Sequence, residues 1–365
     1  MNQIFLKLNT DKLKKLKETT EFLKDSKDYS KSDYWKHCEG LNSYKFNSKG
    51  IFIRGGSGHY YPRRKTFKNL IRTKLSQTIR NTAFKACCGI LNTSKLGRTN
   101  ELPSLILPST HAYDSVWSNS SLMYDSKNGK LIRISENSQI FDFRSVQIPK
   151  ELKSHKLLQK NWHLKNHFLM NDKFFLDFYS YFVTHHFCEK PSNILEIGGG
   201  NGNLASIFHY YSKSRITLVD IPTTIVSAIA FLSYVFPDAK MLYPQDMSPG
   251  KDLNSCDFCF ILPDQTISLS DSSFDLAINN GSFQEMTSEQ IDEYFKLIYR
   301  VLKDNGIFST LNRVEKVPSK ETKPIRFSEY PYTFVHEILL HEIDPFMRLI
   351  QRDNHFHKIV KVTKP

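Results

Sequence analysis

Cysteine, metal-ligand clusters and unbroken apolar runs are all scarce in this sequence, and each scarcity excludes something. Six cysteines in 365 residues, without regular spacing, do not describe a disulfide framework, so the chain reads as one that folds in a reducing compartment. Cys256 and Cys259 form a single CxxC, but no second pair or nearby histidines accompany them and the segment runs on into Phe260-Ile261-Leu262. That predicts partly buried thiols and no zinc site. No grouping of Asp, Glu and His has a metal spacing, so no metal is expected. The longest apolar stretch, Ile216 to Phe236, is interrupted by Asp220 and Pro222 and is too broken to span a bilayer. Met1–Lys7 leads into lysines 12, 14, 15 and 17 without a sustained apolar core, unlike a secretory signal. A cytoplasmic location is the expectation. There is no internal repeat and no low-complexity tract.

What is present is enough apolar material for a core, 40% of residues, in a chain long enough for one large domain or two ordinary ones. The net charge is 50 − 37 = +13. Such an excess suits nucleic acid, an anionic lipid surface or a phosphate-bearing substrate, but it is spread along the chain and fits equally a lysine-rich composition without a polyanionic partner.

Along the chain, residues 10–27 place Leu13, Leu16, Thr20 and Leu23 at helical spacing on a charged background, predicting a surface helix that lies either on a membrane or on the rest of the protein. Residues 40–65 read as loop; Arg54-Gly55-Gly56-Ser57-Gly58 is no phosphate loop, because no Gly-Lys-Ser/Thr comes after it. Residues 66–91 read as helical, and 100–150 as short β-like runs such as Lys130–Ile134 between Pro and Ser punctuation. Gln159 to Phe187 is an aromatic-rich helical stretch, read as core packing and as a cap on the domain C-terminal to it. From 191 the texture changes to strands alternating with helices: Asn193–Ile197, helix 203–212, Arg215–Val219, helix 223–235, Lys240–Tyr243, Phe258–Leu262, Phe274–Asn279, helix 287–302 and Ile307–Asn312. This alternation predicts βαβ units and a mostly parallel sheet covered on both faces. His336–His341 and Phe356–Val362, around a helical stretch at Phe346–Arg352, predict an antiparallel pair at the sheet edge. The organisation expected is an N-terminal, mainly helical and irregular extension over 1–150, a helical cap over 151–190 and an α/β domain over 191–365.

The chemistry concentrates at Ile194-Leu195-Glu196-Ile197-Gly198-Gly199-Gly200-Asn201-Gly202-Asn203, an apolar strand, a glycine turn and a helix start in succession. At the carboxyl end of a strand in an open α/β sheet, glycine lets the backbone turn sharply and a ligand approach closely. The dinucleotide fingerprint would require glycine at 203, where Asn203 stands, and Glu196 inside the strand end suits a cationic moiety better than a pyrophosphate. Asp220, ending the next strand, is placed to accept the two hydroxyls of a ribose. Asp246 and Met247, after the strand taken as third, could meet an adenine amino group and cover its ring. Together these residues describe an adenosine pocket.

They resemble the class I S-adenosylmethionine (SAM)-dependent methyltransferases over about 193–312, with 336–362 similar to that family's reversed final strand. Gly198-Gly199-Gly200-Asn201-Gly202, Asp220-Ile221-Pro222, Asn279–Met286, Asn312-Arg313 and Arg326–Tyr332 resemble a family of bacterial sugar O-methyltransferases from surface-polysaccharide loci. The resemblance implies a Rossmann-like sheet and SAM as cofactor, with Glu196, Gly198, Gly200 and Gly202 around its methionine part, Asp220 at the ribose, Asp246 and Met247 at the adenine, Ile221 among the cofactor-binding residues and Asn279 lining the transfer site. On the acceptor side it implies Asn280, Asn312, Arg313 and Arg326. A sugar hydroxyl needs help in losing its proton; Glu285 is the first candidate base and Gln284 could orient the acceptor, the bland alternative being that Glu285 caps the helix starting near Thr287. His336 and His341 are further candidates on an expected edge strand. Arg313 and Arg326 suit a phosphate-bearing acceptor, a nucleotide-linked or lipid-linked sugar, or else pair with Glu315 and Glu329. Peripheral membrane association fits a lipid-linked acceptor; nucleic acid is not expected as partner.

Three other functions compete. A base-directed nucleic-acid methyltransferase would carry an Asn-Pro-Pro-Tyr-like run or a Pro-Cys pair where Asn279-Asn280-Gly281-Ser282 stands; RNA ribose methylation is less disfavoured. A phenol- or polyketide-directed O-methyltransferase would place a histidine where Gln284-Glu285 stands. A non-catalytic SAM-binding module would have less need of an intact glycine turn and Asp220.

Overall fold

The computed structural model describes residues 4–24, 43–54, 120–125, 130–135, 140–142, 183–316, 324–344 and 355–365, together with Asp177, Ser180 and Tyr181. The chain divides into two compact units, one made of Met1–Tyr61 with Lys160–Pro365, the other of Pro62–Gln159. These boundaries differ from the 1–150, 151–190 and 191–365 division expected from sequence, because the first sixty residues group with the C-terminal part. The helices expected at 66–91 and 346–352, and most of 159–187, lie outside the described residues.

In the first unit, β1 (Ile4–Lys7), β2 (Ser43–Phe46) and β3 (Gly50–Arg54) form a small antiparallel sheet in the order β1-β3-β2. Helix α1 (Thr10–Lys24) comes after β1. Asn9 caps it, its Oδ1 accepting the Lys12 N–H at 2.8 Å. Leu13, Leu16, Thr19, Thr20 and Leu23 recur every three or four residues and are buried, so the helix lies on the protein and its apolar stripe is not offered to a membrane. In the second unit, β4 (Ser120–Asp125), β5 (Lys130–Ser135) and β6 (Ile140–Asp142) form another three-stranded antiparallel sheet. The described N-terminal part therefore holds two small sheets besides its helix.

The large sheet begins at β7 (Asn193–Ile197), then α2 (Asn203–Ser212), β8 (Arg215–Val219), α3 (Pro222–Val235), β9 (Met241–Leu242), β10 (Phe258–Ile261), β11 (Phe274–Asn280), α4 (Ser288–Val301) and β12 (Leu302–Arg313). After the short pair β13 (Glu315–Lys316) and β14 (Ile325–Arg326) come β15 (His336–Ile343) and β16 (His355–Val362). The order is β15-β16-β12-β11-β7-β8-β10-β9. β7 through β12 run parallel, and β16 is antiparallel to both β12 and β15. The central strands are near-continuous apolar runs, Ile194-Leu195 and Phe258–Ile261 being at most 2% exposed, as a sheet covered on both faces requires.

Helix α4 shows how local sequence places its neighbours. The Thr287 hydroxyl accepts the Gln290 N–H while the Gln290 side chain accepts the Thr287 N–H, a capping box that fixes the start of the helix. Ile291, Phe295, Ile298 and Val301 then face the sheet and join one hydrophobic cluster with Leu195, Ile197, Phe283 and Phe308. Because the chain runs from β7 outward through β8 and β10 and returns to β11 on the other side of β7, the carboxyl ends of β7 and β11 flank the switch point where open α/β sheets bind ligands.

The strand after which Asp246 and Met247 come is not an inner one. The strand beside β8 is β10, whereas Met241–Leu242 is a two-residue edge strand. Pro244, which has no N–H to donate, ends the pairing there, while the wholly buried Phe258–Ile261 supplies the inner strand. Cys259 lies in it, and burial pushes its thiol upward. No helix among the described residues is long and apolar enough to cross a membrane.

Candidate functional site

A cleft of about 650 Å³ opens at the carboxyl ends of β7 and β8. Its floor is the glycine turn. Gly198 and Gly200 have φ of +71° and +61°, a region that side chains disfavour. A Cβ on Gly198 would also run into the Ser282 side chain, so the sequence needs glycine there for space as well as for conformation. The Gly198 N–H donates to Val219 O at 2.8 Å, tying the turn to the end of β8.

Asp220 stands beside this turn, 7% exposed. One carboxylate oxygen accepts the Gly200 N–H at 2.8 Å and the other the Ile221 N–H at 2.7 Å. Asp220 lines the cleft with Ile221, and a carboxylate in this place is the group that receives a vicinal diol. Tyr294 of α4 faces the same space, its phenol held protonated by burial and by the Asp220 charge. Pro263, Thr266 and Ile267, from the 3-10 turn Pro263–Ser268 after β10, form the far wall.

That turn is fastened from behind. Gln265 accepts the Leu262 N–H at 2.9 Å and donates to Pro244 O at 2.8 Å. Pro244–Asp246 is in turn held by α1: Lys15 pairs with Asp246 at 3.2 Å, and the Thr19 hydroxyl donates to Gln245 Oε1 at 2.9 Å. Asp246 is therefore engaged by a lysine of α1, and Met247 packs on the hydrophobic cluster. Neither lines the cleft; the residues in the position expected of them are Pro263, Thr266 and Ile267. The displacement results from the strand order, since the loop after β10, not the one after β9, abuts the switch point.

The turn after β11 supplies the opposite wall, with Ser282, Glu285 and Met286 lining the cleft. Glu285 does not cap α4, because Thr287 fills that role. Its carboxylate pairs with Lys316 Nζ at 3.3 Å, the two side chains 12% and 16% exposed. Lys316 was not singled out by sequence reasoning, and no local pattern could have announced it, since β13 reaches the site only through tertiary folding. Tyr294 and the Pro263–Ile267 wall were likewise missed; the end of the apolar run Phe258–Leu262 was the signal that could have found the wall.

Several expected site residues are fasteners in the structure. Asn279 is fully buried: its Nδ2 donates to Ile197 O at 3.1 Å and to Ser282 Oγ, and its Oδ1 accepts from Phe283 N–H at 3.2 Å and from Asn312 Nδ2 at 2.9 Å. Asn312, also fully buried, accepts the Gln284 N–H at 3.3 Å. Gln284 Oε1 accepts the Arg313 N–H at 2.7 Å. These contacts join β7, the 282–285 turn and β12 beneath the cleft, and none of Asn279, Gln284, Asn312 or Arg313 lines it. Glu196 is buried against the Gly199 backbone, and Gly202 starts α2 against Leu232. Asn280 donates to Asp177 Oδ1 at 3.4 Å. Arg326 pairs with Glu315 at 2.8 Å and Glu329 at 3.1 Å, the ion-pair alternative to an acceptor contact. His336 and His341 sit on β15, away from the cleft, and His341 packs on Phe356, where burial lowers its pKa.

Residues 195–310 match a family model described as a methyltransferase domain. No curated protein sequence matches the chain. Among solved structures, a SAM-dependent methyltransferase from Aquifex aeolicus is similar at 12% identity, over 50% of this chain and 89% of that one, with a TM-score of 0.36. The geranyl diphosphate C-methyltransferase of Streptomyces coelicolor A3(2), solved with S-adenosyl-L-homocysteine, is similar at 8% identity, over 52% of this chain and 79% of that one, with a TM-score of 0.37. The residues around the cleft fit SAM: a glycine turn with no side chains in the way, a carboxylate where a ribose would lie and an apolar wall for a flat ring. The chain carries a methyltransferase domain of the Rossmann-like class I fold, with SAM as its cofactor.

Proposed function

We propose that the chain is an O-methyltransferase acting on a sugar hydroxyl, presented on a nucleotide or lipid carrier, in bacterial surface-polysaccharide (O-antigen or capsule) biosynthesis. The observation that carries the O-methyl reading is Glu285, a largely buried carboxylate in the wall of the SAM cleft with Lys316 beside it. The sugar reading draws on the resemblance of Asn279–Met286 and Arg326–Tyr332 to the sugar-directed family.

SAM held in this cleft would supply an electrophilic methyl group, with S-adenosylhomocysteine as the co-product. Glu285 would take the acceptor's hydroxyl proton as that oxygen is methylated. The ion pair with Lys316 at 3.3 Å holds the Glu285 carboxylate in position. Asp220 and the glycine turn would hold the cofactor. The walls formed by Tyr294 and Met286 keep water from the reacting atoms.

The test is methyl transfer from SAM to a panel of nucleotide sugars and lipid-linked sugars, read as S-adenosylhomocysteine released and a one-methyl gain in acceptor mass. Glu285→Gln should lower kcat by roughly 10²- to 10⁴-fold, the range for a positioned proton acceptor, with SAM affinity retained. Turnover confined to phenols or to RNA ribose would refute the sugar assignment, and an unchanged kcat in Glu285→Gln would refute its role as base.

A further inference from the structure

The sheet β1-β3-β2 has two unlike faces. On one, Leu6, Ile51 and Ile53 are buried, and α1 covers them: Lys17 stands over the Phe46 ring at 5.9 Å, while the charges of Lys24 and Glu21 bear on Tyr44. Phe46 and Tyr44 are the cross-strand partners of Ile51 and Ile53, so they share that face. The other face carries the alternate residues. Phe5 and Phe52 are cross-strand partners with ring centroids 4.7 Å apart, and Lys45 is the partner of Phe52 on its far side. Lys7, two residues along from Phe5, points the same way, and Lys49 lies in the turn between β2 and β3.

This outer face is open and of one sign. Phe5 is 39% exposed, Lys7 and Lys45 are exposed beside it, and Lys49 is exposed in the turn at the end of the sheet. Among the described residues none of these lysines has an ion-pair partner. No residue of the three strands is acidic. The carboxylates of α1 belong to the helix behind the buried face. A paired phenylalanine wedge ringed by unpaired lysines matches an anionic bilayer, which offers headgroup charge and an apolar layer just below it. The ring geometry favours lipid over single-stranded nucleic acid: the two rings pack on one another at an interplanar angle of 40°, which spends the faces that bases would stack on and leaves edges to insert.

We propose that the outer face of β1-β3-β2 docks the protein on an anionic membrane surface. The inference is independent of which acceptor is methylated. The test is co-sedimentation of the full chain with phosphatidylcholine vesicles, with and without phosphatidylglycerol. Binding is expected only with phosphatidylglycerol and should fall as salt rises. Lys7→Gln, Lys45→Gln and Lys49→Gln should each weaken it roughly five-fold. Phe5→Ser with Phe52→Ser should weaken it further, and circular dichroism with SAM binding checks that the fold survives; the surface lysine variants keep the proposal testable if that pair does not fold. No binding to phosphatidylglycerol vesicles, or binding indifferent to the lysine variants, overturns the proposal. So does binding of a single-stranded RNA oligonucleotide through the same lysines without binding to vesicles.

Discussion

Replacing Asn279 by alanine separates two roles that its sequence position cannot. As a buried fastener it makes four hydrogen bonds, but they are not equally exposed to loss. Ile197 O would keep the Ser282 hydroxyl, 3.1 Å away, and Asn312 Nδ2 would keep Thr310 Oγ1 at 2.9 Å. The Phe283 N–H, 3.2 Å from Asn279 Oδ1, would be left without that acceptor inside a buried turn. An unsatisfied buried donor costs about 1–3 kcal/mol and each rearranged bond about 1 kcal/mol, so Asn279→Ala should destabilise the fold by roughly 2–4 kcal/mol. Urea unfolding measures this, with the midpoint lowered and the slope unchanged. Under conditions where the variant stays folded, SAM affinity should fall only a few-fold. If it unfolds like the parent protein and instead loses SAM binding by orders of magnitude, Asn279 is a direct cofactor ligand and the fastening role is wrong.

Two further outcomes test the supports of the site. Gln265→Ala removes the link between the cleft wall and Pro244, and should weaken SAM binding about three- to ten-fold by calorimetry, the worth of roughly one hydrogen bond, whereas Gln265→Glu should restore only the part carried by the Leu262 N–H. For Asp275, burial alone would raise the pKa, but hydrogen bonding to Lys303 at 2.6 Å and to the Asn193 and Ser192 N–H groups at 2.9 Å outweighs it and holds the carboxyl below its ordinary value. Its folded pKa is depressed, so its stabilisation is present above the unfolded pKa near 4 and is lost as pH falls through the folded one. Asp275→Asn should therefore destabilise by about 1–3 kcal/mol at neutral pH and flatten the acid limb of the stability profile; equal loss at pH 2 and pH 7 would contradict this.

Much of the large sheet was legible because its strands are local apolar runs and its helices carry local caps: helix 203–212 and strand 215–219 coincide with prediction to the residue. The placement of the glycine turn beside Asp220 was legible for the same reason, since both lie within one βαβ unit. The far wall of the cleft was not. Choosing between Met241–Leu242 and Phe258–Ile261 as the strand beside β8 depends on which run pairs inside the sheet, a non-local fact. Asn279, Gln284 and Asn312 are polar residues at strand ends in either role, and only their hydrogen-bond partners distinguish a fastener from a ligand. Lys316 met Glu285 across 31 positions of chain, beyond any motif.

The central claim is that the cleft floored by Gly198 and Gly200, with Asp220 on its rim, holds SAM. Isothermal calorimetry of the folded chain with SAM and S-adenosylhomocysteine tests it most directly. Saturable binding is expected, weakened in Asp220→Ala by roughly 1.5–3 kcal/mol, the range for hydrogen bonds to a charged group, or about 10- to 100-fold. A folded chain that binds neither ligand at high micromolar concentration, or binds them equally well without the Asp220 carboxylate, would contradict the account.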